Sequence, residues 1–451
     1  MNYASMENLK YMKYIIKKIA VSLVVVSALP LQLLSQQPDT TTNTAHTGMH
    51  GVATGRNVQV LPLDSILSRI DRNNVLIQSY GLKAESFKYS ADASTAWMAP
   101  MAGLGTFMTP YPGQKIMDGG DKGSLMLQLE QDIPNPAKLK AKKSYITSQG
   151  NIEMANRDIT LNDLKSTAKK LYINWLIADQ KIHRFRENEA ILIMMKKTEE
   201  IRYTYNQAQL GSIYKADAKI EETRNSLHIQ EAVIAKSRAW LNGLMNVPGN
   251  EVFEIDTTYI PIFTLAPTYD TAALSVVRKD VHKLDENIRS MELNIKSMML
   301  EKKPDFRIRF DHMSPLAAGM PQAYSIMGMV SIPIAPWASK SYKSGIRAMN
   351  YSIQAMEKER SAMLIETQGM LYGMQYDIQY MQEHIAGMEK KIVPALQKTF
   401  DAYFLNYQEN KLPLTTVIDA WEALNMMQLN VLDEKLKLYE MIVEYEKQLY
   451  R

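Results

Sequence analysis

The sequence predicts a mainly α-helical fold that is duplicated along the chain and carries four β-strands. A motif ending in proline, Ile133–Pro136, returns about 200 residues later as Ile332–Pro336. The helical stretches that follow the two motifs have nearly equal lengths. Two strand-like segments precede each stretch. These three observations together predict two structural repeats of one plan.

The two helical arms in each repeat are the longest elements that the sequence predicts. The stretch from Pro136 to Gly211 is nearly as long as the stretch from Pro336 to Pro413. The return arms, which end at Pro248 and at Arg451, also match closely in length. At a rise of 1.5 Å per residue the long arms would extend about 110 Å. Helices of that length are expected to form coiled coils or to be interrupted.

A methionine stripe predicts a heptad seam in the second long arm. Pro394 should kink the same arm. Thioethers also bind Cu(I) and Ag(I), but residues seven positions apart on one helix are too distant to share an ion, and packing is the favoured interpretation. The stripe has a spacing of seven and then steps by four, and it comprises Met349, Met356, Met363, Met370, Met374, Met381 and Met388.

Four segments of about ten residues have the alternating pattern of strands that cross a bilayer at a tilt. Four strands cannot close a barrel, whereas three copies of the chain would supply twelve. Soluble hairpins that cap a helical bundle are the alternative interpretation. The four segments are Met101–Met108, Ser124–Ile133, Lys303–His312 and Ser325–Ile332.

The N-terminus has the pattern of a secretory signal peptide. Lysines up to Lys18 precede the apolar run Ile19–Leu29, and the polar stretch after it suggests cleavage near Ser35. No later stretch approaches 18 uncharged apolar residues, so no transmembrane helix is expected in the mature chain. We divide the chain into a signal peptide (1–35), a flexible mature N-terminus (36–60), a first repeat (61–248), a linker (249–275) and a second repeat (276–451).

Composition argues against several classes of function. The net charge of +4 gives no support for nucleic-acid binding, and the absence of cysteine removes thiol catalysis and cysteine metal sites. No phosphate-binding loop or His-Glu-x-x-His motif occurs, so we expect neither an enzyme nor a cofactor. His46, Met49 and His50 could capture a metal in principle, but a flexible bystander is the favoured interpretation, and no metal site is predicted.

Several short motifs, in order, resemble those of the TolC family of outer-membrane efflux proteins. Leu63–Leu67 followed by Asn73-Asn74 is similar to the first helix of the family, and Trp97–Pro100 is similar to its approach to the first strand. The two proline motifs resemble its switch from strand to helix. Arg278-Lys-Asp280 resembles the opening of its second half. The resemblance covers nearly the whole mature chain and is nearest to the heavy-metal and multidrug members.

This resemblance implies a homotrimer in the outer membrane of a Gram-negative bacterium, in contact with outer-membrane lipid. Three copies would form a twelve-stranded β-barrel above a helical α-barrel that extends into the periplasm. The partners would be a periplasmic adaptor protein and an inner-membrane transporter of the RND type. The expected function is a passive exit duct for metal ions or small toxic molecules. The alternatives are an exported coiled-coil structural protein and a Met/His-rich metal-binding protein without a pore.

Carboxylates near the helical turns are the candidate gate. Asp419 and Glu422 lie three residues apart on one helix face, so a trimer would present a ring of six carboxylates that could select cations. The resemblance implies the same role, although the family's gate arginine corresponds here to Thr415. Either Lys215 or Lys411 replaces that arginine in an ionic lock, or the lock is absent. Asp217 is a further candidate, for which helix capping in the first turn of the return helix is the alternative.

The turns themselves are the candidate docking surface for the adaptor. We expect Gly or Pro to release each long helix so that the chain can reverse. Exposed leucines there would need a partner to cover them. The predicted tip residues are Leu210 and Gly211 in the first repeat, and Leu412, Pro413 and Leu414 in the second.

Overall fold

A computed structural model describes residues 59–115, 118–265 and 269–450. The predicted signal peptide, most of the flexible mature N-terminus, and His46, Met49 and His50 lie outside the described residues. The remaining chain forms helices α1–α9 and strands β1–β6.

The first half contains two short helices, a strand pair and a long helical hairpin. The short helices are α1 (Leu63–Asn73) and α2 (Val75–Ala93). The strands are β2 (Met101–Phe107) and β3 (Ser124–Ile133), and the hairpin is α3 (Pro136–Thr204) with α4 (Leu210–Leu244). Strand β1 (Val60–Leu61) pairs in parallel with β4 (Glu254–Ile255), which follows α4.

The second half repeats this order. Helices α5 (Thr271–Val277) and α6 (Lys279–Leu300) precede β5 (Phe306–Pro315) and β6 (Ala323–Val330). The long arm is α7 (Pro336–Gly387), a π-helical segment (Met388–Ile392) and α8 (Val393–Gln408), and the return arm is α9 (Leu414–Gln448). The return helices α4 and α9 have 35 residues each.

Proline sets the start of both long helices. Pro136 and Pro336 each occupy the first helical turn, where the missing backbone N–H would have had no partner. In the first half Asn135 also accepts a hydrogen bond from the N–H of Ala137 at 3.1 Å, which caps the helix. Each strand therefore ends abruptly and passes into a long helix within a few residues.

The second long arm changes its hydrogen-bonding pattern near Pro394, where the sequence predicted a kink. Pro394 has no N–H to donate to the carbonyl four residues earlier, which belongs to Lys390. The chain accommodates this missing hydrogen bond by forming a π-helical segment over Met388–Ile392. In contrast, α3 runs uninterrupted for 69 residues.

The seam of α7 differs in detail from the predicted methionine stripe. The buried positions with a spacing of seven are Leu364, Leu371, Ile378 and Ile385. The two leucines each follow a methionine of the stripe by one residue, and the two isoleucines each follow one by four residues. Of the seven methionines in the stripe, Met388 alone is buried. The others are partly exposed at the edge of the seam, because aliphatic side chains fill the space between the helices.

The four longer strands form one antiparallel sheet in the order β2-β3-β5-β6. This order brings the strand pairs of the two halves together through β3 and β5. Strands β2 and β6 are the outer strands, so among the described residues each has one edge without a partner. No helix in the described ranges has both the length and the apolar character needed to cross a membrane.

Candidate functional site

Both helical hairpins reverse at an asparagine. Asn206 and Asn410 have backbone φ angles of 56° and 62°, a left-handed conformation that asparagine tolerates better than most residues. The N–H of the next residue donates to a carbonyl five residues earlier, at 3.0 Å for Gln207 and 2.9 Å for Lys411. These bonds are those of the Schellman motif, which ends a helix.

The prediction that Gly and Pro make these turns was therefore only partly correct. Gly211 has no left-handed φ angle and lies inside the first turn of α4. Pro413 does end the second turn, since it occupies the N-cap position of α9. The asparagines were missed because their spacing from the helix ends is visible only once the helix boundaries are known.

The turns also define the alignment of the two repeats. Asn206 precedes the start of α4 by the same interval as Asn410 precedes the start of α9, so the two turns and the two return helices align together. This alignment places Asp419 at the position equivalent to Lys215 rather than to Asp217. The two copies thus carry opposite charges at the same position of their return helices.

Lys215 and Asp419 form an ion pair between α4 and α9. The Nζ of Lys215 lies 2.6 Å from Oδ1 of Asp419. One helical turn further along, the Nζ of Lys219 lies 2.8 Å from Oε1 of Glu422. Asp419 and Glu422 therefore share one helix face and both point to α4, which agrees with their spacing of three residues. Lys411 contacts Glu409 instead, within its own turn.

Lys219 has the most crowded position in this cluster. Its ammonium group donates to Glu222 at 2.7 Å and to Glu422 at 2.8 Å. Hydrogen bonds first to Glu222 and then to Glu422 raise the pKa of Lys219 above its ordinary value, against the effect of burial. The amine therefore stays protonated under all physiological conditions. The four charged residues that join the helices, Lys215, Lys219, Asp419 and Glu422, are referred to as the interhairpin cluster.

Asp217 lies apart from the interhairpin cluster. It accepts a hydrogen bond from Lys196 of α3 at 2.5 Å, so it joins the two helices of its own hairpin. Neither Asp217 nor Asp419 lies in the first helical turn, because α4 begins at Leu210 and α9 at Leu414. The alternative interpretation of Asp217 as a helix cap was therefore wrong.

The predicted tip residues have very different exposures. Leu210, Gly211 and Pro413 are exposed and Leu412 is half-buried. Leu414 is fully buried, so its assignment to an exposed docking surface was wrong. It packs with Val417 and Trp421 in the hydrophobic cluster at the tips. The left-handed turn at Asn410 directs the chain so that the first residue of α9 points inward.

Two buried polar contacts join the hairpins behind this surface. Tyr407 donates to Glu199 at 2.7 Å, and Glu199 is 3% exposed. Burial first, and then the Glu199 carboxylate, raise the pKa of Tyr407. Nearby, the indole N–H of Trp421 donates to Asn188 at 3.1 Å, and Asn188 donates to Asn425 at 2.7 Å. None of these three hydrogen bonds could be predicted from the sequence, since isolated polar residues on long helices form no pattern.

The four-stranded sheet has two chemically different faces. On one face Leu125, Leu127 and Leu129 of β3 are exposed, and Phe306, Ile308 and Phe310 of β5 continue the apolar surface. The opposite face carries the charges. There Arg307 lies 2.6 Å from Glu130 and 2.5 Å from Asp132, and Arg309 lies 2.8 Å from Asp311. This alternation is typical of a strand between a lipid and an aqueous environment.

Within the described residues, no group of three or more His, Asp or Glu side chains is placed to hold a metal ion. The arrangement of the site is instead one of charge pairing between two helical hairpins. The geometry offers a set of ion pairs and hydrogen bonds that join the two hairpins.

No protein-family model matches this chain, and no curated protein matches it in sequence. Solved structures do match in three dimensions. The MtrE outer-membrane channel of Neisseria gonorrhoeae, solved in an open state, has a TM-score of 0.66 at 14% identity and covers 93% of this chain and 98% of its own. The Campylobacter jejuni CmeC outer-membrane channel has a TM-score of 0.63 at 11% identity, with 91% and 94% covered.

The channel protein CusC has a TM-score of 0.69 at 13% identity and covers 91% of this chain and 98% of its own. These likenesses extend over both halves, including the long hairpins and the sheet. At this level of identity they establish the fold. The chain therefore has the fold of the TolC-family outer-membrane efflux channels, as the sequence motifs indicated.

Proposed function

We propose that this protein is the outer-membrane channel of an efflux system and acts as a passive exit duct. The four-stranded sheet is the observation that carries the proposal. One of its faces is apolar and exposed, the other is charged, and among the described residues its two outer strands each have an unpaired edge. In a bilayer an unpaired strand edge is costly, since no water can satisfy its backbone groups. Three chains in a ring would pair each β6 with the β2 of a neighbour and close a twelve-stranded barrel.

The charged face would then line an aqueous lumen and the apolar face would contact lipid. The strand lengths support this arrangement, because β3 and β5 have ten residues each and tilted transmembrane strands need about 9–11. The similarity to MtrE, CmeC and CusC favours the same conclusion. The competing hypotheses, an exported structural coiled coil or a metal-binding protein without a pore, give no reason for a large exposed apolar face.

Reconstitution into planar bilayers tests the proposal. We expect a detergent-extracted trimer that produces discrete conductance steps. A matched pair of variants identifies the lipid-facing surface: Leu127→Lys on the apolar face should abolish insertion, since a cation at the bilayer midplane costs about 2–4 kcal/mol. Gln128→Lys, one residue away on the charged face, should insert and change ion selectivity. A water-soluble monomer that never conducts would reject the channel.

The interhairpin cluster is the proposed gate. Lys215 and Lys219 of α4 hold Asp419 and Glu422 of α9, so the second hairpin cannot move away from the first without breaking two ion pairs. In this proposal Lys215 supplies the positive charge that an arginine supplies in the family, because Thr415 stands at the position of that arginine. Asp217 is proposed as a carboxylate that positions the first hairpin through Lys196.

A charge-swap experiment tests the gate. Asp419→Lys places two lysines against each other and should raise the open fraction of the channel, because like charges in contact repel. The double variant Asp419→Lys with Lys215→Asp restores an opposite pair and should close the channel again. Lys411→Asp is the matched control, since that lysine pairs within one turn. If the double variant stays as open as the single one, the pair does not control the gate.

We further propose that the tips dock with a periplasmic adaptor that serves an inner-membrane transporter of the RND type. Leu210 is 42% exposed and lies beside the exposed residues Gly211 and Tyr214, which gives this end an apolar surface. Leu412 and Pro413 contribute the equivalent surface of the second hairpin. Site-specific crosslinking from Leu210 should capture an adaptor in cells. Crosslinking from Tyr351, which is also exposed but lies far along α7, serves as the control.

A further inference from the structure

The charged face of the sheet also carries five methionines in the described register, which are Met101, Met126, Met313, Met327 and Met329. Met126 of β3 and Met313 of β5 are direct partners in the antiparallel register. Side chains of directly paired residues point to the same face, with Cβ atoms about 4.5–5.5 Å apart. Alternation places both residues on the face of Glu130 and Arg309, so two thioethers can meet above that surface.

These methionines are not part of a hydrophobic core. The four hydrophobic clusters of the described chain contain no residue of this sheet. Met363, Met374 and Met381 of α7, in contrast, pack against one of those clusters. The usual explanation of a methionine as flexible core filler therefore applies to the helix and not to the sheet.

The two residues that flank the pair leave space around it. Gly105 is the register partner of Met126, and Ala323 is the register partner of Met313. A Cβ atom built on Gly105 would meet no atom within 4 Å. The row across the four strands is therefore Gly105, Met126, Met313 and Ala323, with a small residue on each side of the two methionines. Both sulfur atoms can be reached from the same side of the sheet.

Thioether sulfur is a soft ligand that prefers soft cations such as Cu(I). The closest carboxylate along β5 on this face belongs to Asp311, whose side chain is 5% exposed and already bound by Arg309 at 2.8 Å. Hard cations such as Mg²⁺ and Ca²⁺ prefer carboxylate oxygens, and this carboxylate is already engaged by Arg309. We propose that Met126 and Met313 form a binding site for a soft monovalent cation, Cu(I) or Ag(I).

This inference rests on the proposed channel in one respect: the pair faces the exit path only if three sheets close into a barrel. Closure would place three such pairs at one height, beyond the charged band of Arg307 and Arg309 as seen from the helices. A site with two ligands binds weakly enough to release its ion. That property suits a transit site, because conduction requires both entry and departure.

Silver titration of the purified, detergent-solubilised full-length protein tests the site. Ag(I), added as the nitrate in chloride-free buffer, should bind with sulfur neighbours in the silver X-ray absorption spectrum. It should also protect Met126 and Met313 from oxidation by peroxide, as read by mass spectrometry. The double variant Met126→Leu with Met313→Leu preserves side-chain volume and should weaken this binding by at least about tenfold.

The matched control removes two methionines of the helical stripe, Met349→Leu with Met356→Leu, which cannot share an ion because two helical turns separate them. This control should bind Ag(I) as the unmodified protein does. If the sheet variant still binds like the control, the site does not exist. Single variants at Met126 and Met313 serve the same comparison if the double variant does not assemble.

Bilayer conductance separates this inference from the proposed function. A protein that conducts but shows no Ag(I) binding at the pair rejects the site and leaves the channel intact. Binding at the pair without any conductance rejects the channel and leaves the site. Conductance that Ag(I) reduces in the unmodified protein, but not in the sheet variant, supports both.

Discussion

The return helices α4 and α9 have the same length and equivalent starts, yet their buried residues differ. In α9 the buried side chains are mainly large and apolar, among them Leu414, Ile418 and Trp421. In α4 they include Ser212, Ala216 and Thr223. Helix α9 contributes five buried residues to the core at the tips, whereas α4 contributes two, Ala216 and Ile220. The two repeats therefore share a backbone plan, but their return helices bury different kinds of side chain.

The long arms differ in a parallel way. Within the described chain α3 packs against α2, α4, α6 and α9, and it is continuous throughout. The second arm is interrupted at Met388–Ile392. Its C-terminal part, α8, packs mainly along α9. The first hairpin thus resembles a fixed support, and the second has both a break in its helix and fewer neighbours. If one hairpin moves during opening, this comparison favours the second.

The largest expected effect is a loss of stability that differs between equivalent positions of the two return helices. Trp421 of α9 is 2% exposed, and its equivalent in α4 is the half-exposed Asp217. Trp421→Ala should destabilise the protein by about 3–5 kcal/mol, since it opens a cavity and leaves Asn188 without its indole donor. Asp217→Ala should cost less than about 1 kcal/mol. Thermal unfolding followed by circular dichroism gives both values, and equal losses would contradict the asymmetry.

A smaller effect is expected where the second hairpin is joined to the first through buried polar groups. Tyr407→Phe removes the donor to Glu199 and leaves a buried carboxylate without its partner, which should cost about 1–3 kcal/mol. Tyr403→Phe, on the same helix but 38% exposed, is the control and should be nearly neutral. Denaturant unfolding measures both variants. A neutral Tyr407→Phe would mean that the hairpins do not depend on this contact.

The smallest effect concerns pH. A raised pKa in the folded protein means that Lys219 stabilises the contact between hairpins at pH values below its ordinary pKa. This contribution is lost as the pH rises through the raised value, so the interhairpin cluster should weaken only under strongly alkaline conditions. Lys219→Arg should shift the loss to higher pH, because arginine stays protonated. Hydrogen exchange of the tip amides across pH would detect the change, and identical profiles would exclude it.

Much of the fold could be predicted because it depends on periodic patterns. The four strands begin and end within a few residues of the predicted segments, and the proline motifs mark where each long helix starts. Pro394 correctly indicated a break in the second arm. These features are local, so the sequence carries them without knowledge of the partners.

The candidate site was harder to predict because it depends on which helices meet. Asp419 and Glu422 were found from their spacing, and Lys215 was one of two lysines considered as a partner. Lys219 was not identified, because it lies in the other half of the chain and follows no motif. The burial of Leu414 depends on a left-handed turn at Asn410, which composition does not reveal. Aligning the repeats on Asn206 and Asn410 would have exposed the opposite charges at Lys215 and Asp419.

Those opposite charges have a consequence for assembly. A duplicated chain contains two hairpins of nearly the same shape, and shape alone would let either one sit beside its own kind. With lysine at the position in one copy and aspartate at the same position in the other, like neighbours repel and unlike neighbours attract. In the ring of three chains proposed above, these charges would favour alternation of first and second hairpins, and so would help to determine the order of six similar hairpins.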